Sequence, residues 1–272
     1  MTVPAYIVDA FTDREFGGNP AAVVVLPQRD PPDDSWLSAV AAEFNLSETA
    51  FVAPRREGGW SLRWFTPAIE VELCGHATLA TAHVLFAHVG TTETPIEFHT
   101  RWSGVLAVQR LDDGRLEMDF PARIATRAKP SDDLLEALGG APIETWSHSQ
   151  GYDLVVYRTA DEVARLEPDH AALARMGSRG VIITAAGDIA GGHADFVSRY
   201  FAPAAGITED PVTGSAHCVL APHWSQQLVR SPVVGHQVSK RGGTVECEVA
   251  DNRVLLRGAA VTIVEGTIQV RP

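Results

Sequence analysis

Glu48, His76, Asp210 and Ser215 are polar side chains that stand beside short, glycine-marked loops in this 272-residue sequence. Glu48 lies in N-L-S-E-T-A-F (Asn45 to Phe51), among Leu46, Ala50 and Phe51. Apolar neighbours desolvate a carboxylate and raise its pKa, which suits general acid/base work near neutral pH. A capping or edge carboxylate on the surface is the commoner fate of such a residue. The pattern alone leaves both open. His76, after Gly75, is either a hydrogen-bond donor to a ligand or a helix-terminal histidine without a role. Asn19, in G-G-N-P (Gly17 to Pro20), can bind a carboxylate or an amine, although Asn in a Gly-rich turn ordinarily stabilises the turn.

The elements that must position these residues are short strands and a few helices. Y-I-V-D-A-F (Tyr6 to Phe11) and A-A-V-V-V-L (Ala21 to Leu26) read as strands joined by a turn at Gly17 and Gly18. Asp33 and Asp34 offer N-caps for a helix reaching about Phe44. Further strands are expected near 48–53, 59–66, 94–99, 104–110 and 114–119, with a helix from Gly75 to about His88. Pro121 to Ser131 reads as a linker. A helix over 132–138, strands near 152–158, 179–185 and 194–201, a helix from near Gly214 and strands over 243–268 complete the expectation.

An internal repeat organises these elements. R-W-F-T-P-A (Arg63 to Ala68) recurs as R-Y-F-A-P-A (Arg199 to Ala204), and 199 − 63 = 136 is half of 272. Each copy is followed by a loop and a helix start rich in small residues, C-G-H-A-T-L-A (Cys74 to Ala80) and D-P-V-T-G-S-A (Asp210 to Ala216). At that offset Cys74 falls opposite Asp210. In place of Glu48 the second half offers V-I-I-T-A-A (Val181 to Ala186), with no acid. A helix N-terminus has unpaired N–H groups and partial positive charge, and it binds anions. Gly75 and Gly214 would let a small carboxylate approach two such termini, or they simply permit tight helix–strand packing.

Composition narrows the function. The net charge is −12 and no basic run occurs, which argues against nucleic acid and against an anionic membrane surface as partners. Two lysines, Lys129 and Lys240, weigh against Schiff-base and pyridoxal-phosphate chemistry. Three widely spaced cysteines, Cys74, Cys218 and Cys247, suggest neither a disulfide framework nor a zinc knuckle. Neither metal-binding histidine spacing nor a nucleotide loop is evident, and His217, Cys218 and His223 read as core or surface residues. The N-terminus lacks a basic region and carries early acids, and Ala77 to Val89 is too short to span a bilayer. A cytoplasmic protein without cofactor or metal is the expectation.

V-D-A-F-T-x-x-x-F-x-G-N-P-A-A-V (Val8 to Val23), L-S-E-T-A-F, R-W-F-T-P, L-C-G-H-A-T and E-D-P-V-T-G-S-A-H-C together resemble the PhzF-like family of the diaminopimelate epimerase-like superfamily. The resemblance implies an α+β fold of two pseudo-twofold-related domains, each a curved, mostly antiparallel sheet around a central helix. Their expected spans are 1–120 and 130–272, with the active site in the cleft between them and the last strand able to cross back to the first domain. It further implies a homodimer and cofactor-free isomerisation of a small cyclic carboxylate such as trans-2,3-dihydro-3-hydroxyanthranilate. In that scheme Glu48 moves the proton, His76 and Asp210 orient substrate and assist, and Asn19, Ser47, Gly75, Gly214 and Ser215 bind it. Related racemases use two thiols. Cys74 resembles one, and the second position, placed at Asp210-Pro211, has none, which weighs against a two-thiol epimerase.

Overall fold

The computed structural model describes residues 2–27, 32–177, 179–187, 189 and 192–269. The chain divides into two compact units, Met1–Asp119 with Arg257–Pro272, and Phe120–Leu256.

The first unit contains β1 (Thr2–Ala10), β2 (Asn19–Val25), α1 (Asp34–Phe44), β3 (Glu48–Pro54), β4 (Trp60–Phe65), β5 (Glu70–Val71), α2 (Gly75–Val84), β6 (Ile96–Thr100), β7 (Val105–Arg110) and β8 (Leu116–Pro121). A π-type turn, Leu85–Val89, extends α2 to about the expected end. The second unit contains β9 (Thr126–Arg127), α3 (Asp132–Leu138), β10 (Glu144–His148), β11 (Tyr152–Val156), α4 (Ala160–Arg165), α5 (His170–Arg175), β12 (Gly180–Ala186), β13 (Phe196–Ala202), β14 (Ile207–Asp210), α6 (Gly214–Leu228), β15 (Val233–Gln237), β16 (Gly243–Ala250) and β17 (Arg253–Gly258). The last strand, β18 (Ala260–Gln269), pairs antiparallel with β1 from Thr2↔Gln269 to Ala10↔Ala260. Residues 257–272 thus join the first unit, whereas the expected second span ran to 272. The short β5, β9, β10, β14 and β15 and the helices α4 and α5 carry too little hydrophobic periodicity to stand out in the sequence.

Both units repeat one pairing scheme. In the first, β1–β2 is antiparallel, β2–β3 parallel, β3–β4 and β4–β5 antiparallel, β4–β6 parallel and β6–β7 antiparallel. In the second, β10–β11 is antiparallel, β11–β12 parallel, β12–β13 and β13–β14 antiparallel, β13–β15 parallel and β15–β16 antiparallel. Each unit is therefore a mostly antiparallel α+β layer of the diaminopimelate epimerase-like kind.

The core follows from composition. Helix α2 is apolar or small on every side, so it is buried at nearly every position, against β1, β2, β3 and β18. Its Thr78 and Thr81 hydroxyls donate to the carbonyls of Cys74 (2.6 Å) and Ala77 (2.7 Å), which lets them enter an apolar layer. Helix α1 covers the other side of the sheet through Leu37 and Ala41, with the Phe51 ring edge-on to Trp36 and Phe65. Among the described residues no helix is long and apolar enough to cross a membrane.

The join between α2 and β18 is polar. The Nε2 atoms of His83 and His88 both lie 2.9 Å from the Thr262 hydroxyl, and burial pushes the His83 pKa down to about 4. Replacing Thr262 with Val strands two partly buried ring nitrogens. An unsatisfied buried group costs about 1–3 kcal/mol, so urea unfolding of Thr262→Val is expected to show a loss of that order; unchanged stability would contradict this role for the hydroxyl.

Candidate active site

Three chain segments of the first unit meet at one point. Asn19 is the first residue of β2, Glu48 the first of β3, and Cys74 the N-cap of α2. The parallel pairing of β2 with β3 starts at Ala21↔Glu48, which places the two strand beginnings side by side. The turn ahead of Asn19 is held from within. Asp9, 2% exposed, accepts from the Phe16 amide at 2.8 Å. Gly18 adopts φ +58°, and a Cβ there would meet the Ala10 carbonyl oxygen at 2.1 Å, so only glycine fits.

The side chains brought together are Asn19, Ser47, Glu48, Cys74 and His76. Asn19 is fully buried and its Nδ2 lies 3.2 Å from His76 Nδ1. An amide nitrogen only donates, so in this arrangement Nδ1 accepts and the neutral ring carries its proton on Nε2. Nε2 in turn lies 3.3 Å from Glu48 Oε2. Burial raises the Glu48 pKa, and the adjacent Ser47 and Cys74 side chains offset only part of that rise. The surface-carboxylate alternative is thereby excluded: Glu48 is 9% exposed. The Cys74 thiol lies 3.5 Å from His76 Nδ1, and ligand atoms of Glu48, Cys74 and His76 all fall within 4.8 Å of one another. Chain spacing hides this trio, because Glu48 comes from a different element.

Asp210, Gly214 and Ser215 form a group in the second unit. Asp210 ends β14, Gly214 begins α6, and Ser215 comes next, half-buried. The Thr213 hydroxyl donates to Asp210 Oδ2. Gln237, at the end of β15 and fully buried, holds both residues. Its Oε1 accepts from the Thr213 amide (2.9 Å), and its Nε2 donates to the Asp210 carbonyl (2.6 Å) and the Thr213 hydroxyl (3.2 Å). Sequence patterning gives no signal for Gln237, which lies 24 residues from Thr213. His217, Cys218 and His223 are core residues at 0%, 3% and 8% exposure.

The two central helices differ from the other four in their caps. Asp33, Ser131, Thr159 and Asp169 each accept a backbone N–H of the helix they begin. Cys74 and Thr213 make no such bond. Helix starts without a capping side chain leave donors for an anion.

The pairing also corrects the correspondence between the halves. Val71 pairs with Trp64 as Asp210 pairs with Tyr200, with 200 − 64 = 136 but 210 − 71 = 139. Three residues are inserted around the turn at Pro203–Ala205, so Asp210 corresponds to Val71 and the N-cap Cys74 to the N-cap Thr213. The second thiol position is therefore Thr213 rather than Asp210-Pro211, and it carries a hydroxyl. Glu48, paired with Ala21, corresponds to Gly180, paired with Tyr152, immediately before the segment expected to match. A Cβ on Gly180 would lie 2.3 Å from the Tyr200 hydroxyl oxygen, so the tyrosine fills the space an acid would need.

Known proteins resemble this chain in sequence and in fold. The profile of the PhzC-PhzF family, phenazine biosynthesis-like protein, matches residues 8–266. An uncharacterized isomerase of Pseudomonas aeruginosa is 45% identical, covering 99% of this chain and 100% of its own. One from Halalkalibacterium halodurans is 42% identical over 98% and 99%. The crystal structure of a PhzF family protein from Enterococcus faecalis superposes with a TM-score of 0.92 at 41% identity, covering 99% and 100%. A hydroxyproline epimerase from Agrobacterium vitis, at 9% identity and a TM-score of 0.58 over 98% and 92% of the two chains, shares the fold alone. With a profile match across nearly its whole length and full-length relatives above 40% identity, this chain belongs to the phenazine biosynthesis-like family and is an isomerase.

Proposed function

We propose that the chain isomerises a small cyclic carboxylate, such as trans-2,3-dihydro-3-hydroxyanthranilate, by cofactor-free proton transfer through Glu48. The observation that carries this reading is the buried Glu48 carboxyl, its pKa raised, 3.3 Å from His76 Nε2 at the start of an uncapped helix. A raised pKa brings the acid and base forms closer to equal population near neutral pH, so one group can take a proton and return it.

The step balances on one residue. The ionised Glu48 removes a proton from a substrate C–H, the electron pair shifts through the conjugated system, and the neutral carboxyl delivers the proton to another carbon. His76, with Nε2 3.3 Å from Oε2, supports the carboxylate in its ionised phase. The N–H groups at the start of α2 favour the substrate carboxylate. In the second unit, Asp210 and Ser215 are assigned to the substrate's polar groups, with Thr213 and Gln237 fixing Asp210. Two-thiol epimerisation is disfavoured by Thr213 at the second N-cap.

Two experiments test this. In heavy water with trans-2,3-dihydro-3-hydroxyanthranilate, the wild-type chain is expected to place deuterium in the product. Glu48→Gln is expected to do so about 10²–10⁴-fold more slowly. Exchange by the variant at the wild-type rate would refute the role of Glu48. Gln237→Leu, which frees Thr213 and the Asp210 backbone carbonyl, is expected to lower kcat/KM roughly 2- to 10-fold, the effect of losing about 0.5–1.5 kcal/mol with a neutral hydrogen bond, with circular dichroism unchanged. Undiminished turnover would remove Asp210 from the scheme.

A further inference from the structure

Glu48, Cys74 and His76 supply a carboxylate, a thiol and an imidazole from two chain segments to one small volume, with their ligand atoms within 4.8 Å of one another. A tetrahedral zinc-like cation, bonded to such donors at about 2.0–2.3 Å, holds them about 3.3–3.8 Å apart. The Glu48 Oε2 to His76 Nε2 separation is already 3.3 Å, and the Cys74 sulfur lies 3.5 Å from Nδ1 of the same ring, so ligation through Nε2 draws the thiol around the ring edge from within 4.8 Å. Three protein ligands of mixed S, N and O character leave a fourth position open.

We propose that this trio binds a soft divalent cation, zinc or cadmium, and that the bound cation switches proton transfer off. On binding, the Cys74 thiol releases its proton to solvent and forms a sulfur–metal bond. The thiolate and the Glu48 carboxylate together neutralise the dication, so no net charge is left in this buried place. His76 ligates through Nε2, and its ring proton moves to Nδ1. Asn19, 3.2 Å from Nδ1, then turns its amide oxygen toward that proton, which is the outer-shell hydrogen bond metal-bound histidines ordinarily have. Glu48, Cys74 and His76 are 9%, 7% and 6% exposed, so each keeps a small solvent-facing surface through which an ion reaches it. The inhibitory consequence rests on the proton-carrying role proposed for Glu48, while the binding itself does not.

Cadmium is the direct probe, because a cadmium–thiolate bond absorbs in the near ultraviolet. Titration of the full chain with Cd²⁺, without substrate, is expected to give a charge-transfer band saturating at one equivalent. Cys74→Ser is expected to abolish the band, although Cys218 and Cys247, 3% and 0% exposed, remain. His76→Ala is expected to weaken binding at least tenfold, and Asn19→Ala roughly 10–100-fold; these two variants decide the matter even if Cys74→Ser fails to fold. Zn²⁺, followed by competition with a chromophoric chelator, is expected to show the same order of variants. No saturable band in the wild type, a band that persists in Cys74→Ser, or binding unchanged in His76→Ala would overturn the proposal. The heavy-water assay judges the role of Glu48 separately: a cadmium band with Glu48→Gln still exchanging hydrogen would leave the cation site standing and remove its inhibitory meaning.

Discussion

The burial of one carboxylate sets the terms for the first unit. Ionised Glu48 is costly where the β2 and β3 strand starts meet the head of α2, and that cost raises its pKa. Its neighbours answer that cost without cancelling it. Ser47 and Cys74 lie beside it and favour its ionised form, His76 Nε2 stands 3.3 Å from it, and Asn19 Nδ2 lies against the other nitrogen of His76. The strands supply the rigid frame, because a parallel β2–β3 pair brings both of their first residues to the same edge.

The repeat explains how such a frame arises and where the halves part. Both units share one pairing scheme, and each ties its strand–loop–helix passage with a bidentate ion pair, Arg63 to Glu70 and Arg199 to Glu209. The differences fall at strand ends and helix starts. Glu48 has Gly180 as its counterpart, with Tyr200 in the vacated space; Cys74 has Thr213; Asp210 has Val71. One half therefore carries the buried Glu48 and the other Asp210, its carboxylate held by the Thr213 hydroxyl and its backbone carbonyl by the Gln237 amide, an arrangement unlike the paired thiols of a symmetric epimerase.

Much of this was legible in the sequence. The G-G-N-P turn, the Asp33 cap and the all-apolar α2 each obey a local rule of turn chemistry, capping or periodicity, and the α+β fold came from the motifs that carry the family resemblance. What local rules cannot register is tertiary. The three-residue insertion after Ala204 leaves the R-x-F-x-P-A match intact and shifts only the residues beyond it, so a constant offset paired Cys74 with the wrong residue. Gln237 has an ordinary neighbourhood in the chain and gains its importance from strand β15 ending beside Thr213. The crossing of β18 to β1 depends on pairing between the two ends of the chain, which hydrophobic alternation does not encode. Cys74 lies beside the Glu48 carboxyl, a neighbourhood between separate elements that chain spacing does not register.

The claim on which the account turns is that burial makes Glu48 a proton carrier. Carbon-13 NMR titration of the Glu48 carboxyl, assigned by its absence in Glu48→Gln, tests it most directly. Desolvation favours the neutral form, so the midpoint is expected above the ordinary glutamate value of 4.5, with the carboxyl still partly protonated as pH rises past that point. A midpoint at or below 4.5 would mean that Ser47, Cys74 and His76 outweigh burial, and that Glu48 is a fixed anion instead of a group that takes and returns a proton.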